Sequence, residues 1–258
     1  VTDSTSLGDR MKAYEAPWKL TFPRRLPLVI RVDGRAFHSY LRGAAKPFDM
    51  PFVEDMAEVA KTLCAEISGA VFAYHQSDEI SVLVQDWAST TTEPWFAGEL
   101  QKIVSISAAI ATSALTSRRG GRPLFDARAF VLPNPVEVAN YYQWRQRDAV
   151  RNSISMAAQA HFSHKRLQGV SGEQMQEWLF QEKGVNWNDY PAECRRGQVA
   201  VKRSGEREVT YTDKRTKTEC TTLALRSWWD VEPAPRFTAE PGGFLAETIP
   251  SMPALAAA

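Results

Sequence analysis

"VFAYHQSDEISVLV", Val71 to Val84, holds two apolar runs joined by a polar knot. Val, Ile, Phe and Tyr favour strands, so the stretch reads as a β-hairpin with Ser77, Asp78 and Glu79 at its tip. The Asn-Gly or Gly-containing pairs that form the tightest hairpin turns are absent. Ser and Asp are ordinary turn formers, so one reading is a solvated turn. The other is that two neighbouring carboxylates are held there for chemistry.

The segment upstream favours the second reading. "LPLVIRV", Leu26 to Val32, is a near-continuous apolar run, as expected of a strand buried on both faces, and it ends at Asp33-Gly34. "PFVEDMAEVAKTLCAEI" follows with Phe52, Met56, Val59, Leu63 and Ile67 on one helical face, Pro51 in its first turn and Gly69 beyond its end. Strand, helix, strand, turn, strand is the opening of a ferredoxin-like or palm-like sheet. The fold class expected is α+β. If the first two strands lie side by side and parallel, Asp33 and Asp78 reach one sheet edge, where ligand sites concentrate. Two carboxylates so placed repel unless a cation neutralises them. Mg²⁺ suits oxygen ligands completed by water and phosphate. The opposing possibility is an acidic turn and a loop aspartate with no connection.

Further elements follow. Pro94 to about Ser117 reads as an Ala/Ser-rich helix and "FDARAFVLP" as a strand. Asn134-Pro135, with Glu137 three residues after the Asn, starts a helix to roughly Arg147, continued by or followed by "NSISMAAQAHFSHK". Ser171 opens another helix that ends near Gly184. "QVAVKR" and "EVTYT" are expected to pair as a basic hairpin. The expected organisation is one catalytic domain over residues 1–230, with a helical, RNA-binding extension over about 134–230. A disordered Pro/Ala-rich tail over 231–258 completes it.

Composition limits the function classes. The 258 residues are 44% apolar and 24% charged, with a net charge of +1, so no global field selects nucleic acid or membrane. Charge is local instead: Phe22 to Lys46 carries six basic residues against Asp33, and Arg195 to Lys217 carries eight against three acids. Cys64, Cys194 and Cys220 have no pairing spacing, which points to a reducing compartment. His161 and His164 are spaced for one helix face but lack a third ligand nearby for zinc. The start, "VTDSTSLGDRMKAYE", is polar, and no apolar run approaches the ~20 residues of a membrane span. The expected location is cytoplasmic, with no membrane partner.

The segments "RVDGRAFHSY", "AKPFD", "AYHQSDEIS", "FDAR", "YYQWRQRDAVRNSI", "HFSHK" and "EKGVNWNDYP" resemble the tRNA(His) guanylyltransferase superfamily of 3′-to-5′ polymerases over about Arg31 to Pro191. The resemblance implies a palm-like fold with a helical extension and a homotetramer built as a dimer of dimers. It implies two Mg²⁺ ions on Asp33, Asp78 and the Gly34 carbonyl, with Glu79 in support as a third catalytic carboxylate. It implies that Asp33, Gly34, Arg35, Ala36, Phe37, His38, Lys46, Ser77 and Asp78 hold a nucleoside triphosphate. RNA or second-nucleotide contacts fall on Arg145, Arg151, Asn152, Lys165, Asn186, Arg195 and Arg196. Substrates would be tRNA with ATP, GTP or other nucleoside triphosphates.

One departure sorts the branches. Eukaryotic tRNA(His) enzymes continue this helix with a His-Ile-Asn-Asn run; here the positions are Val150, Arg151, Asn152 and Ser153. "WRQRDAVRNS" is similar to the bacterial and archaeal "like" branch, which implies templated repair of truncated tRNA 5′ ends. The alternatives are a dedicated guanosine adder, a palm-fold nucleotide cyclase and a non-catalytic RNA-binding module. Loss of the His counts against the first, the length of the match beyond the palm against the second, and retention of Asp33 and Asp78 against the third.

Overall fold

A computed structural model describes residues 5–89, 91–238 and 242–252. Its centre is an antiparallel sheet. β1 (Leu28–Gly34), β2 (Ala70–Gln76), β3 (Glu79–Val84) and β4 (Phe125–Val131) stand with β5 (Gln198–Thr212) and β6 (Glu219–Pro233) in the order β4-β1-β3-β2-β5-β6. The order of the first four strands is that of a ferredoxin-like palm.

The expected side-by-side packing of β1 and β2 does not occur. β3 folds back between them, pairing Asp33 with Glu79 on one side and Gln76 with Glu79 on the other. The reason lies in the sequence of β3. All its residues are buried, with Ile80, Val82 and Val84 on one face and Leu83 on the other, and a strand covered on both faces gains most from a central position.

The helices, in chain order, are α1 (Leu7–Glu15), α2 (Phe37–Tyr40), α3 (Met50–Glu66), α4 (Leu100–Arg119), α5 (Pro135–Gln159), α6 (His164–Leu167), α7 (Gly172–Lys183), α8 (Ala192–Arg196) and α9 (Phe244–Thr248). None in the described residues is long and apolar enough to cross a membrane. Asp49, Asn134 and Ser171 cap α3, α5 and α7 by accepting from the N–H three residues on. α3 and α4 cover one sheet face through Ile30, Val32, Ile80 and Val82. α5 covers the other through Val29, Phe72, Tyr74 and Leu83. The C-terminal half of α5 forms a third cluster with α6 and α7. α5 stops at Gln159, so His161 and His164 do not share a helix.

Two expectations about the second half change. "QVAVKR" and "EVTYT" are parts of one strand, and their partner is the whole of β6. The turn between β5 and β6 is set by Asp213, whose carboxylate accepts from the N–H groups of Arg215 and Thr216. The chain beyond Val231 is also built into the fold over its described residues. Ala234, Phe237 and Leu245 are buried in the α5-side core, and Phe237 stacks on Phe244. Gln146 of α5 clamps this strap, donating to the Pro235 carbonyl and accepting from the Phe237 N–H. Three spaced apolar side chains suffice to anchor it, too few to show a period among Pro, Ala and Gly. Residues 239–241 and 253–258 of the expected tail lie outside the described residues.

Phe237→Ala is therefore expected to destabilise the protein by about 3 kcal/mol. Urea denaturation measures it; a change within about 0.5 kcal/mol would mean that the strap is not part of the core.

Candidate active site

The β2–β3 turn is tight, and Ser77 adopts φ +50°, a left-handed conformation uncommon outside glycine. The Gly34 N–H ties the turn to β1 by donating to the Asp78 carbonyl at 3.1 Å. Gly34 is needed for space. A Cβ there would stand 2.5 Å from the ring of Phe37. That ring is buried against Phe52 and Phe125, which fixes the loop after β1. Ala36, also left-handed at φ +55°, turns the chain into α2.

Three carboxylates meet here in unequal circumstances. Glu79 is buried and held by both arms of Arg145, at 2.7 and 2.8 Å. Arg145 also reaches Asp148 at 3.0 Å, and Asp148 pairs with Arg151. Asp33 and Asp78 have no ion pair among the described residues. Burial pushes the Asp78 carboxyl up to about 6, and the negative charges of Asp33 and Glu79 push the same way. Burial raises Glu79 as well, against the opposing pull of Arg145.

Two uncompensated carboxylates at adjacent strand ends fit a hard divalent cation. No set of three or more His, Cys, Asp or Glu gathers in metal-holding geometry among the described residues. Asp33 and Asp78 offer oxygen donors only, the ligand type of an ion such as Mg²⁺ that keeps waters and takes phosphate oxygens to complete its shell.

A cavity of about 360 Å³ opens beside the turn. His38 comes to it from α2 and Lys46 from the loop that follows, Gln76 and Ser77 from the hairpin, Asn152, Ser153 and Met156 from α5, and Cys194 and Gly197 from α8 and its end. His75 is in the wall, with Nε2 2.8 Å from Gln198 Oε1, and burial lowers its imidazole to about 4. Ser153 is a junction: its hydroxyl donates to Val150 and Arg195 carbonyls and accepts from the Trp187 indole.

The expected site residues divide accordingly. His38, Lys46, Ser77 and Asn152 share the cavity, while Asp33, Gly34 and Asp78 are not among its lining and meet at the β1 end and the turn beside Ser77. The Gly34 and Arg35 N–H groups are already used, by Asp78 and Leu124 carbonyls. The N–H groups of Ala36, Phe37 and His38 stand at the start of α2, where a helix leaves its first N–H groups without intrahelical partners. Arg145 is corrected: it is buried on Glu79 and not available to RNA. Asn186 caps the turn at Trp187–Asp189 through Asn188 N–H. Arg195 lies near Trp187 and Asn188, and Arg196 donates to the Ala234 carbonyl. Arg151 and Lys165 are exposed. Gln76, Ser153, Cys194 and Gln198 were missed, because they reach the site through pairings such as His75–Gln198 that leave no local signal.

The family model described as "Thg1: tRNAHis guanylyltransferase" matches residues 8–133. A solved bacterial tRNA(His) guanylyltransferase (Thg1)-like protein in complex with ATP is 42% identical. That alignment covers 90% of this chain and 94% of the other, with a TM-score of 0.77. The chain belongs to the tRNA(His) guanylyltransferase family. A bacterial Thg1-like protein in complex with GTP is 41% identical at the same coverage, with a TM-score of 0.73. The tRNA(His) guanylyltransferase of Schizosaccharomyces pombe is 28% identical over 73% of this chain and 78% of its own. Membership makes the protein a nucleotidyltransferase, and it bears out the palm-like α+β class.

Two measurements check the electrostatics. Arg145→Ala strands Glu79 in the core and is expected to cost about 3–5 kcal/mol; unchanged stability with weaker RNA binding would restore Arg145 to the RNA surface. His75 is neutral in the fold but protonates below pH 6.5 when unfolded, so its contribution of about 3 kcal/mol is lost as pH falls from 6.5 towards 4. Asp78, raised, has the opposite slope: stability is lost as pH rises from about 4 through 6. Asp78→Asn should thus expose a steep acid loss that the metal-free wild type partly cancels. Equal pH profiles of the two proteins would contradict these assignments.

Proposed function

We propose that the protein adds nucleotides in the 3′-to-5′ direction to the 5′ end of truncated tRNA, choosing each by pairing with the opposite strand. The observation that carries this is a cavity of about 360 Å³ that presents Lys46, His38, Ser77 and Asn152, with Ser77 in the same turn as Asp78, which like Asp33 has no ion pair among the described residues. The ATP and GTP complexes of the bacterial relatives support a nucleoside triphosphate as the occupant.

The base and sugar would occupy the cavity. The triphosphate would run along the N–H groups at the start of α2, with Lys46 against its charge. Two Mg²⁺ ions held by Asp33, Asp78 and the Gly34 carbonyl would lower the barrier to deprotonating the attacking hydroxyl and steady the leaving oxygen. Glu79, neutralised by Arg145, keeps the end of β3 in register with Asp33. In the first stage an oxygen of the RNA 5′-monophosphate attacks the α-phosphorus of ATP and pyrophosphate leaves. In the second, the 3′-hydroxyl of the incoming triphosphate attacks the activated 5′-phosphorus and AMP leaves. A 5′-triphosphate end needs only the second stage, releasing pyrophosphate.

Repair is favoured over dedicated guanosine addition by Val150, which packs against the third cluster instead of offering a polar group. The homotetramer belongs to the same proposal. Leu7, Met11, Tyr14 and Trp18 are exposed at helical spacing along α1 and the turn after it, and a nine-residue helix is not self-sustaining in water.

The test is a labelled tRNA lacking its first nucleotide, given Mg²⁺, ATP and each nucleoside triphosphate in turn. Extension by the complementary nucleotide alone is expected; guanosine addition to intact tRNA(His) without repair would transfer the protein to the other branch. Asp78→Asn should lower the rate by about 10³-fold, equivalent to roughly 4 kcal/mol. It should also abolish the rise in melting temperature that Mg²⁺ produces in the wild type. A folded, active variant with that rise intact would remove Asp78 from the metal site.

A further inference from the structure

One flank of α5 faces the β4–β1 side of the sheet, away from the cavity. Tyr141, Trp144, Asp148 and Arg151 recur along it at intervals of three and four residues, so they form one stripe. Tyr141 packs against Phe130 of β4, which sets this stripe over the free edge of the sheet. Trp144 is 52% exposed. Singly exposed apolar side chains are common on protein surfaces, so what sets Trp144 apart is how it is held and what stands beside it.

Its mounting is rigid. The ring stands against Tyr141 at 5.9 Å, and the Arg145 guanidinium lies 4.4 Å from its centroid. Arg145 is in turn fixed by both oxygens of Glu79, whose strand partner is Asp33. Trp144 is therefore an aromatic surface held by a short chain of contacts to the carboxylates.

The neighbouring side chains are cationic. Arg128 of β4 lies directly opposite Arg31 of β1, on the sheet face that also carries Asp33. Like charges directly opposite one another are unfavourable, and the charge of Glu79 offsets only part of that of Arg31. Arg31 Nε is buried with no hydrogen-bond partner, and Arg128 is 57% exposed with one weak contact, 3.9 Å to Asp126. Arg151 is exposed further along the stripe.

We infer that Trp144 is the platform on which the 5′-terminal base of the RNA stacks, with Arg31, Arg128 and Arg151 meeting the phosphates beside it. This rests on the RNA substrate proposed above. It puts the RNA end and the nucleoside triphosphate on opposite sides of the hairpin tip, so that the two reacting phosphates meet at Asp33 and Asp78. Stacking on an aromatic face is indifferent to base identity, which suits an enzyme whose choice of nucleotide comes from pairing.

The experiment uses a truncated tRNA carrying 2-aminopurine at its 5′ end, titrated with full-length protein. Binding to the wild type should quench the fluorophore by stacking, and Trp144→Phe should keep most of that quench. Trp144→Ala should lose it and raise the KM for RNA by roughly 10-fold, leaving the KM for the nucleoside triphosphate unchanged. Arg128→Ala, on a separate element, should lower the salt dependence of RNA binding by about one unit of slope. The inference is overturned if Trp144→Ala retains the quench and the RNA KM. It is equally overturned if the variant weakens the triphosphate instead, or if its main effect is dissociation of an oligomer in sedimentation. Absence of RNA binding by the wild type would instead remove the underlying RNA reading.

Discussion

The bidentate pair between Glu79 and Arg145 decides what the site can do. Three carboxylates crowd the tip of one hairpin, and a single guanidinium neutralises one of them. The pair is buried, so its members are satisfied by each other and by Asp148, and separation would leave a charge in the core. Glu79 is thereby fixed as part of the fold. Asp33 and Asp78 are left with mutual repulsion that only hydrogen bonds to Asp78 offset, a condition that a bound cation removes. The same contact draws α5 onto the sheet beside the tip. One ion pair thus separates structural from functional carboxylates and positions the helix that borders both.

That placement gives the site two sides. Past the tip, α5 leaves the sheet and its inward face lines the cavity with Asn152, Ser153 and Met156. Before the tip, its flank carries Trp144 above the edge strand. Strand alternation assigns the sheet residues in the same way. Ile30 and Val32 face α3 and α4, while Arg31 and Asp33 face α5. A charged side chain inside an apolar strand is costly to bury. The two in β1 are tolerated because they stand where the α5 side opens towards the edge.

Much of this was legible in the order of residues. The apolar runs of β1 and β3, the face of α3 and the cap at Asn134 each follow from periodicity and local chemistry. The convergence of Asp33 and Asp78 was anticipated with a mistaken geometry. Adjacent parallel strands were expected, whereas β3 inserts and brings its own first residue opposite Asp33. The result survives because either arrangement puts the end of β1 beside the turn. What could not be read were long-range satisfactions: Arg145 on Glu79, Gln146 on the backbone at Pro235 and Phe237, Gln198 on His75. Each is a polar side chain that looks solvent-facing until its partner, 66 to 123 residues away, is known. The strap after Val231 was lost for a related reason, since its few anchors have no pattern apart from the surface they cover.

The missing glycine or asparagine in the turn has a physical reading as well. Ser77 holds φ +50° at a cost of about 1 kcal/mol relative to glycine. Flanking strands bonded on both sides can sustain that cost, since β2 and β3 are the best-covered pair in the sheet. A side chain at this position brings two things that glycine lacks. Its hydroxyl hydrogen-bonds the Asp78 carboxylate, opposing the rise caused by burial. It also adds a polar group to the cavity wall beside Lys46 and His38. Ala36, another left-handed residue, stands where the chain turns from β1 into α2. Strain in a structure persists where the surroundings over-determine it. Two of the six left-handed non-glycine residues among those described thus flank the carboxylates, which have no ion pair among the described residues, and a phosphate ligand with its cation would relieve those charges.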